Sequence, residues 1–358
     1  MLELMSITLR KITRMIATPH SDTNATTGQT VTPNCCLHIG LPKTATTTLQ
    51  MGMFARHSDV DYLGTYTNSA SFRPNQCRDQ HVAQLMNELI WDNYDKPDFS
   101  LCRDLYAQAV QPSKDGGRVA VFSWESLLEN RHGVMQKRAE HLREIFGPCR
   151  VMAMVRHPLK LIQSLYLQLL KRDNVGGRAR VGRRPHYQPF GRWIESNWNK
   201  PGEAPKIHLE YATSINVFAN VFGQENVGVF VFEELIADPR AYYTSICNFA
   251  GINASEGVAY VSGQRENPRW SHEQLRFLRE IKSSWFKSLA FQFSTRPMRC
   301  KMIRLPPVNK GIPAKGSRGA QLSLEDKLKQ QILDKTREGN QRLMETWSLP
   351  LDKFNYPI

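Results

Sequence analysis

The sequence has no apolar run approaching the roughly 18–20 residues that a membrane-spanning helix needs, which points to a soluble or peripheral protein. It also lacks metal-type cysteine spacing. Its seven cysteines (Cys35, Cys36, Cys77, Cys102, Cys149, Cys247 and Cys300) are odd in number and scattered, and no secretory leader precedes them. A reducing, cytoplasmic compartment is the expectation. There is no internal repeat, and acidic residues are scarce: 33 Asp and Glu stand against 47 Lys and Arg, a net charge of +14. Such a field attracts anions, whether nucleic acid, an acidic membrane, a polyanionic glycan or a nucleotide, and charge alone does not choose among them. What is present suffices for a fold, since 358 residues with 41% hydrophobic content can bury one large α/β domain or two small ones.

Residues 1–33 read as a flexible N-terminal segment. Leu2, Met5, Leu9, Ile12 and Ile16 fall near helical spacing with Arg10, Lys11 and Arg14 beside them, compatible with an interfacial helix or a frayed terminus. Membrane contact is expected, if anywhere, only through this segment. Residues 18–33 are rich in Thr, Ser, Asn, Gly and Pro without periodicity and read as a linker.

From residue 34 a single domain is expected to run to 358. Cys35 to Gly40, Val119 to Ser123, Val151 to Val155 and Val227 to Phe232 are short apolar β-type runs, each followed by a helix-prone stretch. Their alternation with polar helical segments at 78–93, 134–146 and 206–222 predicts an α/β fold, a parallel sheet flanked by helices. Asp238 suits an N-cap, Pro239 the first helical position and Gly251 the stop, which puts Tyr243, Ile246, Cys247 and Ala250 on one face. The chain then turns basic and irregular through 296–319, and Leu324 to Met344 reads as a charged helix that completes a C-terminal cover.

Two stretches suggest chemistry. Leu41-Pro42-Lys43-Thr44-Ala45-Thr46-Thr47-Thr48 lies between a buried strand and a helix, where unpaired backbone N–H groups and the helix dipole favour a phosphate. The threonine hydroxyls add donors and Lys43 a mobile charge, although a threonine run can also merely cap its own helix. The pattern G-x-x-x-x-G-K-[ST] is absent, which disfavours a magnesium-dependent NTPase. In the second stretch Arg156 leaves the carboxyl end of a strand, where ligands of open α/β sheets bind, and Ser164 follows about two helical turns later. A guanidinium and a hydroxyl there can clamp a phosphate, or Arg156 can pair with a neighbouring acid.

Taken together, HIGLPKTATTTLQ resembles the 5′-phosphosulfate loop of sulfotransferases, whose usual core is P-K-[ST]-G-T-T. Arg156 with Ser164 resembles their 3′-phosphate motif, and VFVFEELIADP followed by a helix ending at Gly251 is similar to a later element of the family. The resemblance implies a P-loop-like three-layer fold and a sulfotransferase that uses 3′-phosphoadenosine 5′-phosphosulfate (PAPS) as sulfuryl donor, with no metal. It implies that Lys43, Thr44, Ala45, Thr46, Thr47 and Thr48 form the 5′-phosphosulfate cradle and that Arg156 and Ser164 hold the 3′-phosphate. It implies as acceptor a hydroxyl or amine of a carbohydrate or other substrate, since the likeness is greater to bacterial and Golgi-type carbohydrate enzymes.

The sequence departs from that pattern in places. Ala45 replaces the usual Gly, which is tolerable only if the position does not need positive φ. Thr48 replaces a Trp that stacks on adenine in the cytosolic branch. Asn309-Lys310-Gly311 only faintly echoes a late phosphate element, to which Lys310 is assigned. Glu125, just past the strand Val119 to Ser123, is the candidate general base, because Ser123-Trp124-Glu125 resembles a Ser-x-Glu of carbohydrate-type sequences; His57 and His132 are alternatives, and a helix cap or an ion pair is the bland reading of Glu125. The basic insertion near 171–192, with Arg178, Arg180, Arg183 and Arg184, either lines a cleft for an anionic acceptor or is a solvated loop. Competing readings are a non-catalytic basic protein that binds nucleic acid or a polyanion and a P-loop kinase; the first would display its charges on a face, the second would need ATP and magnesium.

Overall fold

A computed structural model of the chain describes residues 34–65, 77–91, 95–129, 134–176, 181–200, 205–262, 270–303, 320 and 322–358. The chain divides into two units, Met1–Thr32 and Pro33–Ile358. All elements below belong to the second; residues 1–33, read as a flexible segment and linker, lie outside the described residues.

Five strands, β1 (Cys35–Gly40), β2 (Val60–Thr65), β3 (Val119–Ser123), β4 (Arg150–Val155) and β5 (Val227–Val231), form one sheet in the order β2-β3-β1-β4-β5. Every neighbouring pair is parallel. The helices are α1 (Gln80–Met86), α2 (Phe99–Asp115), α3 (Met135–Phe146), α4 (Pro158–Asn174), α5 (Phe190–Asn197), α6 (Tyr211–Phe222), α7 (Phe232–Ala237), α8 (Pro239–Ala250), α9 (Ala254–Val261), α10 (His272–Ser283), α11 (Trp285–Gln292), α12 (Arg296–Met302) and α13 (Asp326–Trp347), with a π-helix at Thr48–Phe54 after β1.

The side-chain period of two explains the layering. Leu37 and Ile39 of β1, Phe122 of β3, Val151 and Ala153 of β4 and Val229 of β5 point into one core, which α2, α3 and α6 close. Cys36, Val121, Met152, Met154 and Phe230 point into the other, beneath the π-helix and α8. Both faces of the sheet are therefore apolar, so its strands read as unbroken hydrophobic runs. A third core beside the sheet packs α4 and α5 against α10, α11 and α13, through residues such as Tyr166, Trp193, Leu278, Phe291 and Ile332.

The α/β expectation is met. α8 starts and stops as its punctuation requires: the Asp238 carboxylate accepts from the Ala241 N–H at 3.0 Å, Pro239 is the first helical residue and Gly251 takes φ 74°. Phe232 opens α7 rather than ending β5. The stretch 171–192 begins inside α4 and ends inside α5, and residues 177–180 within it are outside the described set. Among the described residues no helix is long and apolar enough to cross a membrane.

Candidate functional site

The carboxyl ends of β1, β3 and β4 are adjacent in the sheet, and each releases one of the residues singled out above: Lys43, Glu125 and Arg156. The loop after β1 is pinned on several sides. The Leu41 N–H donates to the Met154 carbonyl of β4 at 2.8 Å, while the Thr44 and Thr46 hydroxyls donate to the Leu41 carbonyl at 2.6 and 3.3 Å. The Thr48 and Leu49 N–H groups both reach the Ala45 carbonyl.

Within this loop Lys43 has φ 69° and Ala45 φ 63°, with Thr44 between them on the ordinary side. Such an alternation turns successive backbone N–H groups toward one concavity, the geometry of an anion nest. The alanine at position 45 therefore occupies the left-handed conformation that its side chain was expected to avoid. A left-handed alanine or lysine costs about 1–2 kcal/mol, and the hydrogen bonds to Leu41 and Ala45 hold the loop in it. The threonines thus act in two ways: Thr44 and Thr46, both buried, shape the loop through their hydroxyls, whereas Thr47 is exposed at the helix start and Thr48 is buried.

Gly40 fixes how closely the first and third strand ends approach. Its φ is 109°, and a Cβ there would stand 2.0 Å from the Glu125 carbonyl oxygen. Trp124 N–H to His38 O and Leu128 N–H to Ile39 O, at 2.8 and 3.1 Å, tie the same two segments together. Gly40→Ala is accordingly expected to destabilise the protein by about 3 kcal/mol or more, from overpacking added to an unfavourable φ. Chemical denaturation measures this; an unchanged midpoint would mean that the approach is not a close one in solution.

Glu125 and Lys43 shift toward each other. Burial raises the Glu125 pKa, opposed first by the Lys43 charge and then by a hydrogen bond from Thr46, while Glu129 nearby raises it further. Burial lowers the Lys43 pKa, which Glu125 opposes and Arg156 and Lys171 reinforce. Lys43 thus lies within the field of two further cations, Arg156 and Lys171, and of one carboxylate, Glu125. Arg156 is buried, donates from Nη1 to the Lys43 carbonyl at 2.5 Å and lies over the Phe232 ring at 4.4 Å. It supports the loop directly, a role the sequence did not suggest. Ser164 is half-buried on α4.

Beyond Glu125 lies a cavity of about 460 Å³, lined by Glu125, Ser126, Glu129, Gln168, Arg172, Asp173, Arg183, His186, Gln188, Trp193 and His208 among others. That volume is within the range of small-ligand sites. Of the basic insertion, Arg183 reaches it and Arg184 is exposed. Arg178, Arg180 and Lys310 lie outside the described residues, as does His132. His57 is elsewhere and occupied: its Nδ1 accepts from the Asp59 N–H at 3.1 Å, so its Nε2 donates to the Asn253 carbonyl at 2.8 Å. As an alternative base it is set aside.

Sequence reasoning missed His208, whose Nδ1 stands 3.2 Å from a carboxylate oxygen of the buried Glu129 on the cavity wall. The pair joins residues 79 positions apart, one of them on the short 3₁₀ turn Pro205–Leu209, and no local pattern marks it. It also missed a buried triad beneath the loop. Gln50 donates to the Ser123 hydroxyl at 2.8 Å, and Ser123 Oγ is 2.6 Å from His38 Nδ1. Burial lowers the His38 pKa to about 3, so the ring is neutral and joins β1, β3 and the π-helix. The C-terminus closes the edge at β5: Glu233 accepts from the His157 N–H and the Tyr356 hydroxyl, at 3.2 and 2.7 Å.

No protein-family model and no curated protein matches the sequence. Solved structures similar to the chain in fold include the following three. A sulfotransferase from Alicyclobacillus acidocaldarius is 16% identical, with 73% of this chain and 94% of that one covered and a TM-score of 0.43. The sulfotransferase domain of the curacin biosynthetic pathway is 13% identical, with 64% and 78% covered and a TM-score of 0.38. The sulfotransferase domain of the Synechococcus PCC 7002 olefin synthase is 16% identical, with 76% and 94% covered and a TM-score of 0.40.

Proposed function

We propose that this chain is a sulfotransferase that passes a sulfuryl group from PAPS to a hydroxyl of an acceptor, with a carbohydrate as the acceptor class. The observation that supports this most is the meeting, at one edge of a parallel sheet, of a nest-shaped loop bearing Lys43 with a half-buried carboxylate, Glu125, on the wall of a ligand-sized cavity. The donor suits the concavity, because Lys43, Arg156 and Lys171 bring cationic charge there that an anionic phosphosulfate would offset. PAPS supplies a sulfuryl group whose bond to the 5′-phosphate oxygen breaks as the acceptor oxygen bonds to sulfur.

The chain's own groups have distinct tasks. The backbone N–H groups of the loop, that of Thr46 among them, with the Lys43 ammonium and the Thr47 hydroxyl, hold the 5′-phosphosulfate; Arg156 and Ser164 are assigned to the 3′-phosphate, Arg156 in addition to supporting Lys43. Glu125 takes the proton of the acceptor hydroxyl, and Lys43 stabilises the charge that gathers on the leaving phosphate. The scheme calls on no metal ion. Trp193 and the amides of Gln168 and Gln188 offer the mixed aromatic and hydrogen-bonding wall that a sugar ring suits, while Arg172 and Arg183 favour an anionic one.

Incubation with PAPS and a panel of glycans, phenols and lipids, with release of the desulfated nucleotide and the sulfated product both measured, tests the reading. Product from a glycan without magnesium supports it; turnover only with ATP and magnesium would favour the kinase reading. With an anionic glycan, Arg183→Gln is expected to raise the acceptor KM several-fold, to flatten its salt dependence and to leave kcat nearly unchanged, as for a charge that steers and holds substrate. An unchanged KM from low to high salt would return the loop to solvent.

A further inference from the structure

We infer that α11, α12 and the strap at 181–184 form a docking surface for an anionic lipid bilayer. The surface is apolar where a soluble protein would be polar. Trp285, Phe286 and Phe293 are 68%, 76% and 62% exposed, and Leu289, Met298 and Val181 are exposed beside them. Trp285, Leu289 and Phe293 repeat at intervals of four, so they form one stripe along α11. The Trp285 and Phe286 rings touch edge to face at 4.6 Å. Val181 belongs to the same patch because Gly182 and Gln292 exchange two hydrogen bonds of 2.8 Å, from the Gly182 N–H to the Gln292 carbonyl and from Gln292 Nε2 to the Gly182 carbonyl.

Charge selects the occupant. Between Glu280 and Glu325 the sequence has no Asp or Glu and nine Lys and Arg. Lys282, Lys287, Arg296 and Lys301 are exposed around the aromatic stripe, Lys287 paired with Glu280 at 3.4 Å. Exposed tryptophan and phenylalanine beside Lys282, Arg296 and Lys301, with Glu280 the acid at the margin, match the interfacial region of a bilayer with anionic headgroups, where aromatic rings enter the boundary and cations remain at headgroup level. A second copy of the chain would bring the same positive ring against itself, which disfavours a symmetric dimer through this face. A surface within the folded unit is thus added to the N-terminal segment, to which the sequence alone confines membrane contact. The strap places this surface next to the cavity, since Arg183 lines one and Val181 the other. The inference does not depend on the reaction proposed above.

Vesicle flotation with the full chain tests it, comparing phosphatidylcholine alone with phosphatidylcholine containing about 30 mol% phosphatidylserine. The protein is expected to float with the anionic vesicles, to remain below with the neutral ones, and to be released at high salt. Trp285→Ser/Phe286→Ser/Phe293→Ser and, separately, Lys282→Glu/Arg296→Glu/Lys301→Glu should each cut the bound fraction by about tenfold or more without lowering the melting temperature, because the altered side chains are exposed. Failure of the wild type to float would overturn the inference. So would flotation of both variants at the wild-type level, which would assign binding to the N-terminal segment, or a dimer in sedimentation velocity that the aromatic variant dissociates while vesicle binding persists.

Discussion

Glu125→Gln is expected to lower turnover by about a hundredfold or more while donor affinity stays nearly constant. The amide keeps the shape of the carboxylate and removes its basicity. The backbone at position 125 is held by the close approach of Gly40 and by the hydrogen bonds between the segments after β1 and β3, so the substitution has no reason to move it. Burial raises the Glu125 pKa against the opposing field of Lys43, and a raised pKa brings a carboxylate nearer the value of an effective base at neutral pH. The sign of the pH dependence follows. Glu125 acts only when ionised, so wild-type turnover should be lost as pH falls through its raised pKa, and the variant's residual rate should lack that acid limb. Near-normal turnover in Glu125→Gln would move the base to His208, which Glu129 orients on the same cavity wall.

Lys43→Ala should cost about 10²–10³-fold in turnover, the range seen when one preorganised donor to a developing oxyanion is removed. The desulfated nucleotide should weaken much less, since the greater part of the lysine's contribution arises only as the leaving phosphate gains charge. Burial and the charges of Arg156 and Lys171 disfavour the ammonium, and Glu125 favours it. Loss of Lys43 also removes the foremost influence that lowers the Glu125 pKa. The acid limb of the residual activity should therefore move to higher pH. Equal losses in binding and turnover would make Lys43 a binding residue only.

The parts of this site legible in the sequence are those written in local pattern. β1, β3, β4 and β5 are buried on both faces, and their apolar runs are unbroken enough to read directly. β2 was not legible because Asp61 and Gly64 interrupt it. Asp61 is tolerated inside because it accepts from Arg78 at 2.6 Å and from the Ser113 hydroxyl at 2.7 Å, partners that only the fold supplies. The placement of Lys43, Glu125 and Arg156 on one edge followed from each ending a strand, since parallel strands deliver their carboxyl ends together. What each touches did not follow. The left-handed Ala45 is invisible in a residue type that usually avoids that region, and its support comes from carbonyls, not from a motif. Arg156 binding the Lys43 carbonyl over Phe232, and His208 seated on Glu129, are contacts between distant segments for which local sequence has no signal.

The most direct test of the donor site is thermal melting with the desulfated nucleotide 3′-phosphoadenosine 5′-phosphate in buffer free of magnesium. A ligand that binds only the native state stabilises it by mass action, so a hundredfold excess over Kd should raise the melting temperature by about 5 °C, and the analogue lacking the 3′-phosphate should raise it less. No rise with the 3′-phosphorylated nucleotide, or a rise that needs magnesium and that ATP produces equally, would contradict the assignment of this sheet edge to PAPS.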